Sequence, residues 1–356
     1  MMPVMALPIS PPLAPMLAKL GNEVPVGDDW TYEPKWDGFR GIVFRDGDDI
    51  QVMSRDKRTL ERYFPELLDV LAESLPERCV VDGEIVIPGD AGLAFDALLQ
   101  RIHPAESRVR MLAEKTPSSF VVFDLLALGG DDLMAESLAD RRAALVDALG
   151  AGEPSEPDAA IKELATTGKG HRRFVLGPWT EDPKEANRWL DAYERLGLDG
   201  VVAKELGSTY LPNKRGWVKV KQHRTCDCVV GGYRLSKTGD GIGSLLLGLY
   251  DKKGVLHYVG HTSSFKAQER RDLLAELKPL EGGTSFGEAR TPGGPSRWTG
   301  GKDTSWVALS PERVCEVGFD RLLGERFRHA ATFLRWRPDR KPASCTFDQL
   351  PDFLRP

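Results

Sequence analysis

At 356 residues the chain is longer than a single hydrophobic core usually supports, so two domains are expected. Its 41% hydrophobic and 28% charged residues, with a mean hydropathy of −0.32, exclude disordered, collagenous and membrane classes. The formal net charge of −5 hides an asymmetry: residues 1–225 carry 28 basic and 37 acidic residues, whereas 226–356 carry 20 and 16, a net of +4 on the C-terminal part. No run approaches the roughly 18–20 apolar residues of a membrane span, the proline-broken start lacks a signal peptide's basic opening, and five cysteines without C-x-x-C pairs make neither a disulfide framework nor a zinc site.

In chain order, Phe39 to Phe44 and Ile50 to Ser54 read as strands of a hairpin turned by Asp46-Gly47-Asp48-Asp49. Leu60, Phe64, Leu67, Leu68, Leu71 and Leu75 recur at helical spacing, with Pro65 tolerable in a first turn. Val80 and Val81, with Ile85 to Ile87, suggest a further strand pair, Phe95 to Ile102 a helix, and Phe120 to Leu126 a buried strand. The stretch from Gly150 to Gly170 reads as an exposed insertion, and Asp182-Pro183 opens a helix carrying Trp189, Leu190 and Tyr193. The fold class is α+β with antiparallel sheets.

Beyond about Cys226 short strands dominate: Val229 to Leu235, Ser244 to Tyr250 and Val255 to Val259. A helix bearing Phe265, Leu273, Leu274 and Leu277 follows, then a Gly/Pro-rich loop from Pro279 to Asp303 containing Arg290, Arg297 and Lys302. Trp306 to Leu309, Arg313 to Phe319 and Thr332 to Trp336 complete the strands. One helix amid short strands suits a small barrel of the OB type. Within Phe319 to Lys341, seven basic residues interleave with Phe327, Phe333 and Trp336, a pattern that suits a phosphate backbone as well as a solvated face.

The most informative stretch is EPKWDGFR, Glu33 to Arg40. It is followed in order by SRDKR (Ser54 to Arg58), VDGEIVI (Val81 to Ile87), FVVFDLL (Phe120 to Leu126), LDGVVAK (Leu198 to Lys204) and RGWVKVK (Arg215 to Lys221). Each puts a charged or aromatic residue at the edge of an expected strand. This ordered set resembles the covalent nucleotidyltransferase superfamily. With RHAATFLRWRPDRKP near the C-terminus, it is most similar to ATP-dependent DNA ligases of the small actinobacterial LigC type. The resemblance implies a nucleotidyltransferase (adenylation) domain over 1–222 and an OB-fold domain over 226–356, with no further N-terminal DNA-binding domain and no fused polymerase or nuclease.

It also implies the chemistry. Lys35 attacks the α-phosphate of ATP, releases pyrophosphate and forms a lysyl-AMP; the AMP then passes to a 5′-phosphate, and a 3′-hydroxyl displaces it. An unperturbed lysine is neutral about once in 2,500 molecules at pH 7, a penalty of roughly 4.6 kcal/mol. Clustered cations from Arg40, Arg55, Lys219 and Lys221, with a bound Mg²⁺ (or Mn²⁺), are expected to disfavour the ammonium and to neutralise the triphosphate. By the same resemblance Glu33 borders the adenine, Phe123 stacks on it, Arg40 and Glu84 reach the ribose, Arg55 approaches the phosphate, and Arg215, Lys219 and Lys221 hold phosphates. Lys219 and Lys221 alternate with Val218 and Val220, which places both on one face of a strand.

Lys204 ranks below these, and Met16 to Ala18 reads as a hydrophobic anchor near the nucleotide. Asp199 stands where ligases usually carry glutamate; it and Glu84 are the candidate metal partners, with Asp37 as a catalytic helper. Arg335, Arg337, Asp339 and Arg340 resemble the last ligase motif, with Arg337 and Asp339 serving pyrophosphate departure. A hinge near Lys221 to Thr225 is expected to let the OB domain exchange this motif for a DNA-gripping face.

The implied partners are nicked duplex DNA and repair proteins such as a primase-polymerase or end-binding proteins, for a monomer in the bacterial cytoplasm associated with the nucleoid. The alternatives are an RNA ligase or capping-type nucleotidyltransferase and a non-catalytic OB nucleic-acid-binding protein. A phosphate-loop ATPase is excluded, because no G-x-x-x-x-G-K-[ST] occurs.

Overall fold

Apolar runs flanked by turn residues set the strands of the computed structural model, which describes residues 7–90, 92–150, 156–166, 173–287, 292 and 305–355. The chain divides into two units, Met1–Gln222 and His223–Pro356. In the first, β1 (Leu17–Gly21) and β2 (Trp30–Pro34) precede the expected hairpin of β3 (Phe39–Asp46) and β4 (Asp49–Ser54). Asp46 pairs with Asp49 across a two-residue turn in which Gly47 adopts φ 65°. Helix α1 (Pro65–Ser74) starts on Pro65, where a missing N–H costs nothing, and buries Leu67, Val70 and Leu71.

The expected strand pair around residues 80–87 is one continuous strand, β5 (Arg78–Val86). Asp82-Gly83 is a register shift within it rather than a turn. Gly83 is there for close approach: a Cβ would overlap the Phe120 ring and the Val121 carbonyl of the neighbouring strand.

Helix α2 (Phe95–Arg101) is as expected, whereas α3 (Glu106–Lys115) buries only Val109, Leu112 and Ala113, too thin a stripe to stand out in the sequence. Strand β6 (Ser119–Leu128) is buried almost throughout, and α4 (Leu138–Leu149) runs from an N-cap on Ser137 to Gly150 at φ 56°. Part of the expected exposed insertion is instead helix α5 (Pro157–Ala165), which buries Ala160, Ile161 and Leu164. Those three share one face at helical spacing, and the polar flanks obscured them; residues 151–155 and 167–172 lie outside the described residues. After β7 (Phe174–Leu176), Asp182 caps α6 (Pro183–Ala192), and β8 (Val201–Glu205) and β9 (Arg215–Val220) complete the unit.

Two main sheets result, in strand orders β1-β9-β8-β2 and β7-β6-β5-β3-β4, the latter extended by Asp131–Asp132 beside β6; Pro88–Gly89 and Gly92–Leu93 form a separate small ribbon. Pairing is antiparallel except for β1 with β9 and β7 with β6, which run parallel. Tyr32, Val201, Ala203, Val218 and Val220 from one sheet pack in a core with Val86 and Val121 from the other. A second cluster joins Met16, Ile42, Phe44, Phe123, Tyr210 and Trp217.

The second unit comprises β10 (Arg224–Leu235), β11 (Ile242–Tyr250), β12 (Leu256–Thr262), α7 (Ala267–Leu277), β13 (Val314–Phe319) and β14 (Thr332–Trp336). Its sheet order is β12-β11-β10-β13-β14, and a bridge between Thr262 and Ala331 links the two edges. This joins the strands in a ring with the helix between the third and fourth, the topology of an OB barrel. Cys345, Phe347, Leu350 and Leu354 from the C-terminal segment fill its core beside Cys226, Cys228 and Cys315. The basic residues Arg290, Arg297 and Lys302 of the Gly/Pro-rich loop lie outside the described residues. Among the described residues no helix is long and apolar enough to cross a membrane.

Candidate active site

Three strand ends meet at one edge of the first sheet. Pro34 of β2 pairs with Val201 of β8, and Val201 pairs with Val220 of β9. The next residue along each chain therefore emerges at the same place. The Lys35 N–H donates to the Gly200 carbonyl at 2.8 Å and the Asp199 N–H to the Lys35 carbonyl at 2.8 Å, which extends the pairing one step beyond the strands. Gly200 sits at φ +128°, and a Cβ there would overlap the Val220 carbonyl, so the turn that delivers Asp199 requires glycine. Gly38 is required for a different reason: its Cβ would overlap the Ile85 carbonyl where the KWDG segment crosses β5.

As a result Lys35 Nζ lies 2.6 Å from Asp199 Oδ2, and Lys221 Nζ reaches the same oxygen at 2.8 Å. Burial works against the Asp199 carboxylate, but the two ammonium groups outweigh it and hold its pKa below the usual value. Lys219, one step back on β9, is pushed down by burial and by the charges of Lys35, Lys221 and Arg55. Of the cations expected around Lys35, Lys219, Lys221 and Arg55 act on one another's charge here while Arg40 pairs with Asp82, and the cluster is not one of bare positive charge. Asp199 neutralises two of them, and Asp82 neutralises Arg40, because half-buried ammonium and guanidinium groups need carboxylate partners. Arg55 and Arg215 are exposed.

Cross-strand register sorts the faces of this sheet. Val202 opposes both Glu33 and Lys219, so Glu33, Lys204, Trp217 and Lys219 share one face, while the apolar Val201, Ala203, Val218 and Val220 fill the other. On the polar face Lys204 Nζ bonds Glu33 Oε1 at 2.7 Å, both side chains almost fully buried. The same ammonium lies 4.6 Å from the Phe123 ring centroid and 4.3 Å from that of Trp217. Lys204, ranked below the other candidates in the sequence, thus sits buried between Glu33, Phe123 and Trp217.

On the facing sheet Arg40 opposes Glu84, with Asp82 two residues along on the same strand. Arg40 Nε and Nη2 donate to the two oxygens of Asp82, each at 2.5 Å, and the guanidinium carbon lies 4.8 Å from the Phe123 centroid and 4.9 Å from that of Trp217. Lys35, Asp199, Lys219 and Lys221 thus form one cluster. Glu33, Arg40, Glu84 and Phe123 line a second patch in the same unit, tied to the first by the charge of Lys35 acting on Glu84.

Burial raises the Glu84 carboxyl to about 7, against the favourable pull of Arg40 and Lys35 and with the help of Asp37 and Asp82. Between the unfolded value near 4.5 and about 7, the folded protein holds a proton that the unfolded chain has lost, so this group makes stability fall as pH rises through that window. Melting of nucleotide- and metal-free protein from pH 5 to 8 is expected to show this decline, and Glu84→Gln to flatten it; an equal slope in both proteins would contradict the assignment.

Among the described residues no group of three or more His, Cys, Asp and Glu side chains is placed to hold a metal. Magnesium, however, commonly takes one or two protein carboxylates and completes its shell with phosphates and water. Asp199, and Glu84 with its unfavourably ionised carboxyl beside the Asp37 charge, fit that donor chemistry.

In the second unit the last motif folds onto Asp227 of β10. Arg337 Nη1 lies 2.9 Å from Asp227 Oδ1, Arg340 Nε is 2.9 Å from Asp227 Oδ2, and Arg337 Nη2 donates to Asp339 Oδ2 at 2.8 Å. The hydrogen bond from Arg337 holds the Asp339 carboxyl down at about 2. Arg335 pairs with Glu316 at 2.6 Å. Gln349 clamps the Asp227 backbone, accepting from its N–H and donating to its carbonyl, each at 3.0 Å.

Sequence reasoning missed Asp82, Tyr210, Trp217 and Asp227. Asp82 had a usable signal, since it stands two residues before Glu84 and strand periodicity puts both on one face. Trp217 had the same signal, two residues before Lys219. Tyr210 and Asp227 had none.

A family model described as "ATP dependent DNA ligase domain" matches residues 15–221, and one described as "ATP dependent DNA ligase C terminal region" matches 238–340. The chain is 51% identical to DNA ligase C1 of Mycolicibacterium smegmatis and 52% identical to DNA ligase C of Mycobacterium tuberculosis, in each case over 97% of this chain and 96% of the relative. A solved structure from a study of Lig E DNA ligases, 18% identical over 91% of this chain and 99% of that one with a TM-score of 0.51, has a similar fold.

Proposed function

The chain belongs to the ATP-dependent DNA ligase family, and on that premise we propose that it seals nicks in duplex DNA through AMP carried covalently on Lys35. What carries the residue assignment is the junction where Lys35 and Lys221 meet on one oxygen of Asp199. The Lys35 nitrogen forms a bond to the α-phosphorus of ATP as the bond to pyrophosphate breaks. The AMP then passes to the 5′-phosphate at the nick, and the 3′-hydroxyl displaces it to close the backbone.

The first unit, over 1–222, is the adenylation domain. Glu33 borders the adenine, Phe123 stacks on it, and Arg40 and Glu84 face the ribose. Arg55, Arg215, Lys219 and Lys221 receive phosphates and stabilise the charge that develops on them. Asp199 stores Lys35 and Lys221 as an ion pair before the nucleotide arrives, and Asp37 and Glu84 flank it. Asp199 and Glu84 would hold Mg²⁺ or Mn²⁺, which when bound would supply Lewis-acid stabilisation of phosphoryl charge. The OB domain, over 226–356, contributes Arg337 and Asp339 to pyrophosphate departure, and its basic strip serves DNA.

We place the enzyme in the cytoplasm as a monomer acting in DNA repair. The similarity to the multifunctional non-homologous end joining protein LigD of Mycolicibacterium smegmatis, 29% over 92% of this chain and 39% of that protein, supports a repair setting; primase-polymerase or end-binding partners rest on the sequence resemblance alone. Labelled ATP and GTP test the base choice. Label transferred from ATP alone, and sealing of nicked DNA duplex in preference to RNA, is expected; label from GTP, or preference for RNA, would support the capping or RNA-ligase alternative.

A further inference from the structure

Arg40 and Asp82 stand in two of the ligase motifs, but the buried hydroxyl that holds Asp82 belongs to Tyr210, which lies between the motifs. The Met16 N–H donates to the Tyr210 hydroxyl oxygen at 2.9 Å, and that hydroxyl donates to Asp82 Oδ2 at 2.6 Å. Asp82 is fully buried and grips Arg40 through both of its oxygens. Arg40 Nη2 returns to the Met16 carbonyl at 3.4 Å, so the loop closes on the residue where it began. Tyr210 is 2% exposed, and its ring meets the edge of Trp217 at 6.0 Å, one of the two aromatic faces on which Arg40 rests.

The hydroxyl has a defined direction. Burial and the Asp82 charge raise the Tyr210 phenol far above its usual value, so it stays protonated and donates. It accepts from the N–H of Met16, the residue just before β1, and β1 is in turn pinned by parallel pairing to β9. An Asp82 carboxylate without that donor would keep Arg40 but lose the third contact that fixes its own rotation. A guanidinium held in a two-pronged grip follows its carboxylate.

We propose that Tyr210 is a positioning residue for nucleotide binding, setting the orientation of the Asp82–Arg40 pair and through it the guanidinium that faces the ribose. This rests on the assignment of Arg40 to the nucleotide under Proposed function. The alternative is a tyrosine that merely fills space between Met16 and Trp217.

Tyr210→Phe keeps the ring and removes only the hydroxyl. In the full-length protein, the ATP concentration for half-maximal self-adenylylation is expected to rise about five- to tenfold, with the saturated rate within about twofold of wild type. In an Arg40→Lys background the same substitution is expected to add nothing, because its effect passes through Arg40. An equal rise in both backgrounds, or a lower melting temperature with unchanged ATP dependence, would overturn the proposal. A second measurement is independent of the enzymatic reading: proton exchange at Arg40 Nε, followed by NMR on arginine-labelled protein, is expected to quicken at least severalfold in Tyr210→Phe. Unchanged exchange there overturns the positioning role even if the ligase reading stands. Quickened exchange with no adenylate formed by wild type sustains the positioning and removes the ligase reading instead.

Discussion

Lys35→Met is expected to lower ATP-dependent self-adenylylation by roughly 10⁴-fold or more, equivalent to at least about 5.4 kcal/mol of barrier, while the protein remains folded. Methionine keeps the length of the side chain and has no nucleophilic nitrogen. The cost in stability is held to about 1–2 kcal/mol because Asp199 is not stranded: Lys221 still lies 2.8 Å from the same oxygen. With only one ammonium opposing its burial, the Asp199 carboxyl shifts upward from its depressed position. Later steps do not use the amine as nucleophile, so sealing of a nick that already carries AMP is expected to survive within about 100-fold. Self-adenylylation of Lys35→Met at wild-type rate, measured with labelled ATP, would mean that another group carries the nucleotide.

The second large effect is expected at Arg337. Arg337→Ala should lower self-adenylylation about 100-fold or more and leave sealing of a pre-adenylylated nick within about tenfold, because only the first step expels pyrophosphate. The substitution removes partners from Asp227 and Asp339, but Arg340 still reaches Asp227 at 2.9 Å, so the buried carboxylate keeps a cation. Truncating the chain before Arg335 would be a poorer test. It would delete Trp336 and the core residues Cys345, Phe347, Leu350 and Leu354 with the motif. Equal loss of both steps in Arg337→Ala would contradict a role confined to adenylylation.

Much of the fold was legible wherever local pattern and tertiary demand agree. The hairpin at Gly47, the first-turn prolines of α1 and α6, and the buried run of β6 all follow from periodicity and turn chemistry. Misreadings came where one residue type serves two purposes. Gly83 looks like a turn glycine and is a close-approach glycine inside β5; the Glu/Pro/Gly-rich flanks of α5 look like a solvated insertion and conceal an apolar stripe.

The candidate site was legible to a similar depth. Lys35, Asp199 and Lys221 stand in motifs, and strand register explains why they meet. Their charge balance was not legible. The partners that fix the side chains come from far along the chain: Tyr210 is 128 residues from Asp82, Lys204 is 171 from Glu33, and Arg337 is 110 from Asp227. No local pattern encodes such pairings; they follow from which strands become neighbours.

Intact-mass measurement of the purified protein after incubation with ATP and magnesium, followed by peptide mapping, shows directly whether Lys35 carries AMP. One AMP per chain is predicted, on the peptide containing Lys35, labile to acid as a phosphoramidate and removed when pyrophosphate is added back. AMP on any other residue, or a protein that seals nicks with ATP yet never carries the adduct, would contradict Lys35 as the carrier.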